Sequence, residues 1–246
     1  MTTRAYTVRV SRRAKYVRLK HSARDGLVVI VPQGFDESRI PRILEKKRDW
    51  IQKTQERLRE QRKYIAAQAM GKLPDRVTLR VIDEEWAVSY RLTEAKTVTA
   101  VERTAKRLLV FGDIEDGQAT KDALRRWIAR KTHEHAVPWL MRLASEKGFE
   151  VSRVMVKSQR TRWASCSSRG TISLNLRLMF LPEHLVRYVF LHELAHIRET
   201  DHSRRFWAWI STLDEDFVIH DEELRTAWRL VPPWIGLQRL SPVSAP

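Results

Sequence analysis

Residues 181–207 read LPEHLVRYVFLHELAHIRETDHSRRFW, and the interpretation of the whole fold depends on this stretch. Apolar residues recur at helical spacing around an H-E-x-x-H sequence, which comprises His192, Glu193 and His196. Residues i and i+4 of a helix share a face, so the two histidines can present imidazole nitrogens to one metal ion. His202 follows as a third candidate ligand, and Pro182 can occupy the start of the helix. The stretch therefore predicts a largely buried helix that carries a metal site.

Three histidine ligands and one open coordination position are typical of a catalytic zinc site, whereas structural zinc sites are usually closed by four protein ligands. Glu193 projects about 100° away from His192 around the helix axis, where its carboxylate can reach a water molecule at the metal. We therefore expect one Zn²⁺ per chain, held by His192, His196 and His202, with Glu193 as the catalytic base. Other first-row divalent ions also suit three imidazoles.

The composition is typical of a soluble globular protein, since 31% of the 246 residues are charged and 43% are hydrophobic. No apolar run approaches the roughly 18 residues of a membrane span, and the N-terminal residues lack the apolar core of a signal peptide. We expect a cytoplasmic protein with no membrane partner. Cys166 is the single cysteine, which excludes an internal disulfide and a thiolate zinc cluster.

Positive charge is concentrated near the N-terminus. The formal net charge is +16, and residues 1–65 hold 18 Lys and Arg against 7 Asp and Glu, a net charge of +11. The rest of the chain therefore carries only +5. A segment this basic attracts polyanions, which makes nucleic acid a candidate partner of the N-terminal region. A well-solvated basic surface is the alternative, because no nucleic-acid-binding motif accompanies the charge.

The N-terminal half has the pattern of a β-rich region with one long basic helix. Alternating residues predict a small antiparallel sheet of three strands, at Tyr6–Val10, Tyr16–Lys20 and Leu27–Val31. A helix is expected from Asp36 or Ser38, either of which can cap it, to about Ala67, with Pro41 in its first turn. Short strands follow, at Val77–Val81, Trp86–Leu92, Thr97–Val101 and Arg107–Phe111. The sequence leaves open whether these strands join the first sheet.

The second half begins with a helix predicted from Thr120 to Lys147, with a kink or break just before Pro138. His133 and His135 lie on this helix and point apart, so we assign both to structure. Two strands follow, at Val151–Val156 and Thr171–Leu176, with a polar loop between them.

A strand placed just before a metal-binding helix can offer a free edge to an extended peptide. Three polar residues of the loop and the second strand are candidate substrate contacts near the metal: Arg160, Arg162 and Asn175. Tyr188 joins them as a candidate donor to an oxyanion. Loop solvation and turn capping are the alternative roles of the three loop and strand residues.

The sequence HELAHIRETDHSRRFW, preceded by TRWASCSSRGTISLNLRLMFLP, resembles the YgjP-like metallopeptidase domain, a relative of the SprT and Spartan type of zinc peptidase. The similarity runs from SRRAKYVRL near the N-terminus to VPPWIG. The resemblance implies His192, His196 and His202 as zinc ligands and Glu193 as the catalytic base. Ala164 departs from the family, which usually has glycine in a W-G-S-C motif. Alanine there would add about 1 kcal/mol of strain if the position needs a positive φ.

These patterns predict an α+β protein in three parts. Residues 1–115 form a basic, β-rich N-terminal region with a long helix. Residues 116–236 form a zincin-like metallopeptidase domain, which has an active-site helix and an edge strand. Residues 237–246 form a disordered tail.

Three functions are consistent with the sequence, and the leading one is a zinc-dependent peptidase that cleaves a protein or peptide amide bond with metal-activated water. The second is a UTP pyrophosphatase, an activity ascribed to proteins that resemble this family. The chain has no G-x-x-x-x-G-K-[ST] loop and no evident carboxylate cluster for magnesium. The third is a non-catalytic nucleic-acid-binding zinc module, which needs a fourth ligand such as His220. A peptidase recruited to DNA or RNA would combine the first and third.

Overall fold

The computed structural model describes residues 6–22, 26–56, 59, 73–159 and 162–236. Helices and small sheets alternate along the chain, so the predicted α+β class is confirmed. The chain divides into two compact units, residues 1–68 and 69–246. Among the described residues, none of the helices combines the length and apolar character that a membrane span requires.

The first unit contains a three-stranded sheet in the order β1-β3-β2. Its strands are β1 (Thr7–Ser11), β2 (Arg18–Ser22) and β3 (Gly26–Pro32). β3 is antiparallel to β2 but parallel to β1, so the prediction of a purely antiparallel sheet is wrong. The reason is that β3 turns back on β2 and inserts between β1 and β2. Val29 and Val31 of this central strand are buried against Ile40, with Val8 and Leu19 packed at the same cluster.

The basic helix of the first unit is interrupted near its start, where the sequence predicts a continuous helix. The Asp36 carboxylate accepts a hydrogen bond from Ser38 N at 3.0 Å and caps a short helical turn, which leads into α1 (Ile40–Lys46) with proline in its first turn. Lys47 then interrupts the helix with φ −111° and ψ 15°, and residues 48–56 are helical again. The remainder of the predicted helix, to Ala67, lies outside the described residues apart from residue 59.

The second unit begins with a four-stranded sheet in the order β4-β5-β7-β6, separate from the N-terminal sheet. The four strands are β4 (Arg76–Leu79), β5 (Glu84–Leu92), β6 (Thr99–Arg103) and β7 (Arg107–Gly112). This sheet packs on α2 (Gly117–Glu146), from which Trp127 Nε1 donates to the Glu102 carboxylate at 2.9 Å. The two compact units meet at residue 68, whereas the boundary expected from the sequence lies after residue 115.

α2 continues without interruption through Pro138, so the predicted break is absent. Interior proline costs a helix about 3 kcal/mol. Tertiary packing offsets this cost, because Leu140, Leu143 and Ala144 beyond the proline are all buried. At the other end, the Asp116 carboxylate caps the helix by accepting from Gln118 N and Ala119 N, both at 2.9 Å.

The third sheet has the order β8-β10-β9 and precedes a helix that is buried along most of its length. Its strands are β8 (Arg153–Lys157), β9 (Ala164–Cys166) and β10 (Thr171–Asn175). The helices that follow are α3 (Glu183–Arg198), α4 (Arg204–Leu213) and α5 (Phe217–Thr226). From Leu185 to Ala195 every residue of α3 is buried except Arg187, which is half-buried. This burial holds the part of the helix that carries the H-E-x-x-H sequence against the core.

Gly112 supplies a sharp test of the four-stranded sheet. Its φ is +123°, and a Cβ added there would lie 2.5 Å from Thr97 O and 2.9 Å from Val98 Cα. We expect Gly112→Ala to lower the free energy of unfolding by at least about 2 kcal/mol, since backbone strain and a clash with backbone add. Gly117→Ala is the matched control, because its φ is not positive and its added Cβ meets nothing within 4 Å. Equal urea midpoints for both variants would contradict this account.

Candidate metal centre

α3 brings His192 and His196 to one face, one turn apart, and the connection to α4 carries His202 to the same point. One ligand nitrogen from each of the three histidines lies within 4.8 Å of the other two. Ring centroids are 5.0 Å apart for His192–His196, 5.1 Å for His192–His202 and 4.6 Å for His196–His202. The three imidazoles predicted from sequence therefore converge on one position.

The geometry and protonation of the cluster suit a divalent cation. His192 Nε2 lies 3.1 Å from His202 Nε2, close to the roughly 3.3 Å that separates two nitrogens on a tetrahedral ion with 2.0–2.1 Å bonds. Burial, followed by repulsion among the three rings, lowers the pKa of His192 well below its usual range, and desolvation lowers that of His202 to about 4. All three rings are thus neutral near pH 7, and their lone pairs face one another where a cation can accept them.

Contacts with neighbouring residues orient the imidazole rings. His196 Nδ1 lies 3.0 Å from Glu199 O, so Nδ1–H donates to this carbonyl and Nε2 is left as the ligand atom. Phe206 of α4 is fully buried with its ring centroid 4.8 Å from His192, 4.6 Å from His196 and 4.6 Å from His202. α4 therefore packs against all three histidines through Phe206.

Glu193 follows His192 on α3, and its side chain is only 3% exposed. Burial raises its pKa to about 8, while a hydrogen bond from the Cys166 backbone N–H and the charge of Arg162 act in the opposite direction. The Cys166 thiol lies beside the same carboxylate, and its own pKa is raised to about 11, first by burial and then by Glu193. The carboxylate is therefore held at one oxygen by a backbone donor and sits in a poorly solvated site.

The donor to Glu193 comes from a strand that the sequence does not indicate. Residues 164–166 were predicted as loop, but they form β9 and pair with β10, with Ser165 opposite Ser173. β10, the strand directly before the helix, is the central strand of its sheet, so the expectation of a free edge there is wrong. Among the described residues β8 and β9 each pair with β10 alone, so both are edge strands. β9 is the edge strand whose backbone donates to Glu193. Ala164 lies within this strand without a positive φ, so the anticipated strain is absent.

Of the two polar candidates among the described residues, Arg162 is the one whose charge acts on the site. Arg162 is exposed, and its charge acts on both Glu193 and His196. Arg160 lies outside the described residues. Asn175 is fully buried: its Nδ2 donates to Gln159 O at 2.9 Å and to Arg162 O at 2.7 Å, and its Oδ1 accepts from the N–H two residues on. Asn175 therefore positions the loop that carries Arg162.

Arg177 holds the same loop from a second direction. Its side chain is buried, and one Nη donates to Gln159 O while the other donates to Gly236 O. The same guanidinium contacts Asn175 Oδ1 at 3.4 Å. Both residues lie where β10 passes into the following helical turn, a position from which sequence spacing alone does not reveal long-range hydrogen bonds. The loop is thereby tied to Gly236 near the C-terminal end of the described chain.

Other polar candidates point away from the cluster. The Tyr188 hydroxyl is buried and donates to Asp221 Oδ1 at 3.3 Å, so it is not placed to meet an oxyanion. His220 Nδ1 bonds to the Asp214 carboxylate at 2.8 Å, and the metal-binding group found among the described residues does not include it. His133 and His135 are exposed on α2 and do not belong to the metal-binding group found among the described residues.

Comparison with known proteins identifies the family. The family model of the YgjP-like metallopeptidase domain matches residues 15–227. The chain belongs to the YgjP-like metallopeptidase family. A crystal structure of the metallopeptidase zymogen of Pyrococcus abyssi abylysin is also similar, with 24% identity and a TM-score of 0.34 over 42% of this chain and 94% of that chain. Comparison with curated proteins found no match.

Membership in the YgjP-like family establishes the coarse chemistry of this chain. It is a metallopeptidase, and therefore a hydrolase that works with a divalent metal ion. Within this YgjP-like protein, the three-histidine group is the one set of His, Cys, Asp or Glu side chains among the described residues that could hold such an ion. The predicted resemblance to the family is confirmed.

Metal binding to this YgjP-like protein should be visible as stabilisation. An ion that binds only the folded state at about 100 times its Kd adds about 2.7 kcal/mol to the free energy of unfolding. We expect Zn²⁺ to raise the Tm of the wild type and EDTA to reverse this, with the shift lost in His196→Ala. The control is His133→Ala/His135→Ala, which removes two exposed histidines and should keep the full shift. A zinc-induced shift retained by His196→Ala would contradict the three-histidine site.

Asn175 provides a test of the loop architecture. Asn175→Asp replaces the Nδ2 donor with an oxygen that faces the carbonyls of Gln159 and Arg162. We expect a loss of about 2–4 kcal/mol in urea unfolding, because the Arg162 carbonyl loses its Asn175 donor and the new carboxylate oxygen faces two carbonyl oxygens. Thr171→Val, at the start of the same strand, should change stability by less than about 0.5 kcal/mol. A stable Asn175→Asp variant would show that the loop is not held through this amide.

Proposed function

We propose that this chain is a zinc-dependent peptidase that hydrolyses amide bonds of proteins or peptides. The observation that carries the proposal is the convergence of three neutral imidazoles within 4.8 Å beside a buried carboxylate. His192, His196 and His202 would hold one Zn²⁺ per chain and leave a coordination position for substrate or water. When bound, the ion supplies Lewis acidity, which acidifies water and polarises a carbonyl group.

Glu193 is proposed as the catalytic base. Burial raises its pKa to about 8, and a cation held by the three histidines would favour the ionised form, which accepts a proton from water. The Cys166 N–H fixes one carboxylate oxygen, so the other is left to take a proton from water and to deliver it to the leaving amine. The protein thus orients the proton carrier through the backbone of β9.

β9 is proposed to align the substrate. Its free edge lies next to the helix that carries Glu193, and an extended peptide can add to such an edge through backbone hydrogen bonds. Arg162, exposed at the start of this segment, is the proposed polar contact to the bound peptide or to a developing oxyanion. Arg160 remains a candidate for the same role, and Asn175 would act by positioning the loop.

Two rival functions are less well supported. For a UTP pyrophosphatase, the metal-binding group among the described residues contains three imidazoles and no carboxylate ligand, whereas magnesium prefers oxygen ligands. For a purely structural zinc module, a fourth ligand is needed, and His220 is engaged by Asp214. Nucleic acid is proposed as an additional partner of the basic N-terminal region, and cytoplasmic location remains a prediction from composition.

Glu193→Gln separates catalysis from metal binding. We expect this variant to keep about one zinc per chain and to lose 10²- to 10⁴-fold in the hydrolysis of an unfolded protein substrate, because the proton acceptor is gone. Glu183→Gln, in the first turn of the same helix, is the matched control and should keep wild-type turnover. Zinc content is measured by atomic spectroscopy, and cleavage by mass spectrometry of the products.

The same preparations decide between the hydrolase classes. UTP is offered in parallel, and release of pyrophosphate that is lost in His192→Ala would favour the nucleotide hydrolase. Bound zinc without turnover of either substrate would favour a structural site. Undiminished proteolysis by Glu193→Gln would show that another group takes the proton.

A further inference from the structure

The face of the N-terminal sheet opposite its core carries basic and apolar side chains that take no part in the metal site. Because side chains alternate along a strand, the face opposite the core carries every second residue. Val8, Leu19 and Val29 pack into the core, so Arg9, Arg18 and Ile30 lie on the other side. The strand register sets Arg9 opposite Ile30 and Ile30 opposite Arg18, and these three form one row across the sheet.

A second row lies two residues away on the same face. Thr7 is opposite Val28, and Val28 is opposite Lys20. Arg9, Arg18 and Lys20 are all exposed, while Val28 and Ile30 between them are buried or half-buried. Strands lie about 4.8 Å apart, so cations flank an apolar centre at about 10 Å across the sheet. We refer to Arg9, Arg18, Lys20, Val28 and Ile30 as the basic sheet face.

No acidic residue offsets the charge of the basic sheet face from within its own strands. Eight Lys or Arg and no Asp or Glu precede Asp25 in the sequence, and residues 26–32 contain no acidic residue. Along the described part of the first unit, the carboxylates begin at Asp36, in the helical segment. The charge separation within this unit therefore gives the sheet a strong positive potential.

An exposed aromatic ring adjoins the basic strands. Tyr16 is 80% exposed in the connection between β1 and β2. Its neighbours Arg12, Arg13 and Lys15 are exposed as well. A tyrosine that contributes so little to the core leaves its ring available for stacking, and cations beside it would attract a phosphate backbone.

We propose that the basic sheet face and the Tyr16 connection together bind single-stranded nucleic acid. The cations contact the phosphates, and Tyr16 stacks on an unpaired base. A duplex would satisfy the cations but present no free base face to Tyr16, and an acidic protein would not require the ring. The inference deepens the nucleic-acid partnership in the proposed function and is independent of the metal site.

Fluorescence anisotropy with the full chain tests this assignment. The probes are labelled oligo(dT) and oligo(U) of about 15 nucleotides and a duplex of the same length, titrated over a series of salt concentrations. We expect both single strands to bind more tightly than the duplex, and log Kd to rise with log salt. Failure to bind either single strand at low salt, or tighter binding of the duplex, would overturn the proposal.

Two charge-neutralising triples locate the surface. Arg9→Gln/Arg18→Gln/Lys20→Gln removes the cations of the basic sheet face. Arg42→Gln/Lys46→Gln/Lys53→Gln removes the same charge from exposed positions in the helical segment and is the matched control. The first triple should weaken binding at least about tenfold and reduce the salt slope by about 2, and the control should change Kd far less. Equal losses in the two triples would overturn the assignment to the sheet.

Tyr16 variants test stacking separately from charge. Tyr16→Ala should weaken single-strand binding about 5- to 150-fold with an unchanged salt slope, whereas Tyr16→Trp should retain it. Wild-type affinity in Tyr16→Ala would exclude stacking. Circular dichroism melts establish that each variant folds. Glu193→Gln should bind the strands as the wild type does, so an inactive peptidase site and a failed nucleic-acid site give different results.

Discussion

The burial of ionisable side chains on one helix is the constraint on which this structure depends. α3 carries His192 and Glu193 into the core, where only 0% and 3% of their surfaces are exposed. Desolvation disfavours the charged form of each, so the imidazole pKa falls and the carboxyl pKa rises. Apolar neighbours on the same helix, such as Val189 and Leu194, provide favourable burial that offsets this cost. Phe206 packs against all three histidines and supplies an apolar contact to each ring.

Local patterns were sufficient to predict most of the described elements and the histidine cluster. The i, i+4 spacing of His192 and His196 is a property of any helix, and the apolar spacing around them identifies that helix from sequence alone. The strands of the four-stranded sheet were likewise recognisable from alternation. The pairing of the N-terminal strands could not be predicted in this way. β3 inserts between β1 and β2, which are neighbours in sequence, and thereby pairs in parallel with β1. Similarly, an interior proline usually ends or kinks a helix, but burial of the residues beyond Pro138 keeps α2 intact.

The surroundings of the cluster were harder to predict, because their roles depend on tertiary contacts. β9 has only three residues, too few for an alternation signal, yet its backbone holds Glu193. Asn175 and Arg162 are both polar and close in sequence, and nothing in their types reveals that one is fully buried and the other exposed. Lys47 interrupts the basic helix although lysine has good helix propensity, so the interruption could not be predicted from propensity.

The hydrogen bonds of Arg177 link the order of synthesis to the completion of the site. Arg177 joins Gln159 O, in the loop before β9, to Gly236 O, which leaves the ribosome after α3, α4 and α5. A nascent chain that ends before Gly236 can form the helix with its histidines, but one donor of this buried guanidinium then has no acceptor. Asn175 can already hold the loop through Gln159 O and Arg162 O, so the contact to Gly236 is the last of these hydrogen bonds that synthesis allows. It forms only after translation has passed α3 by about forty residues.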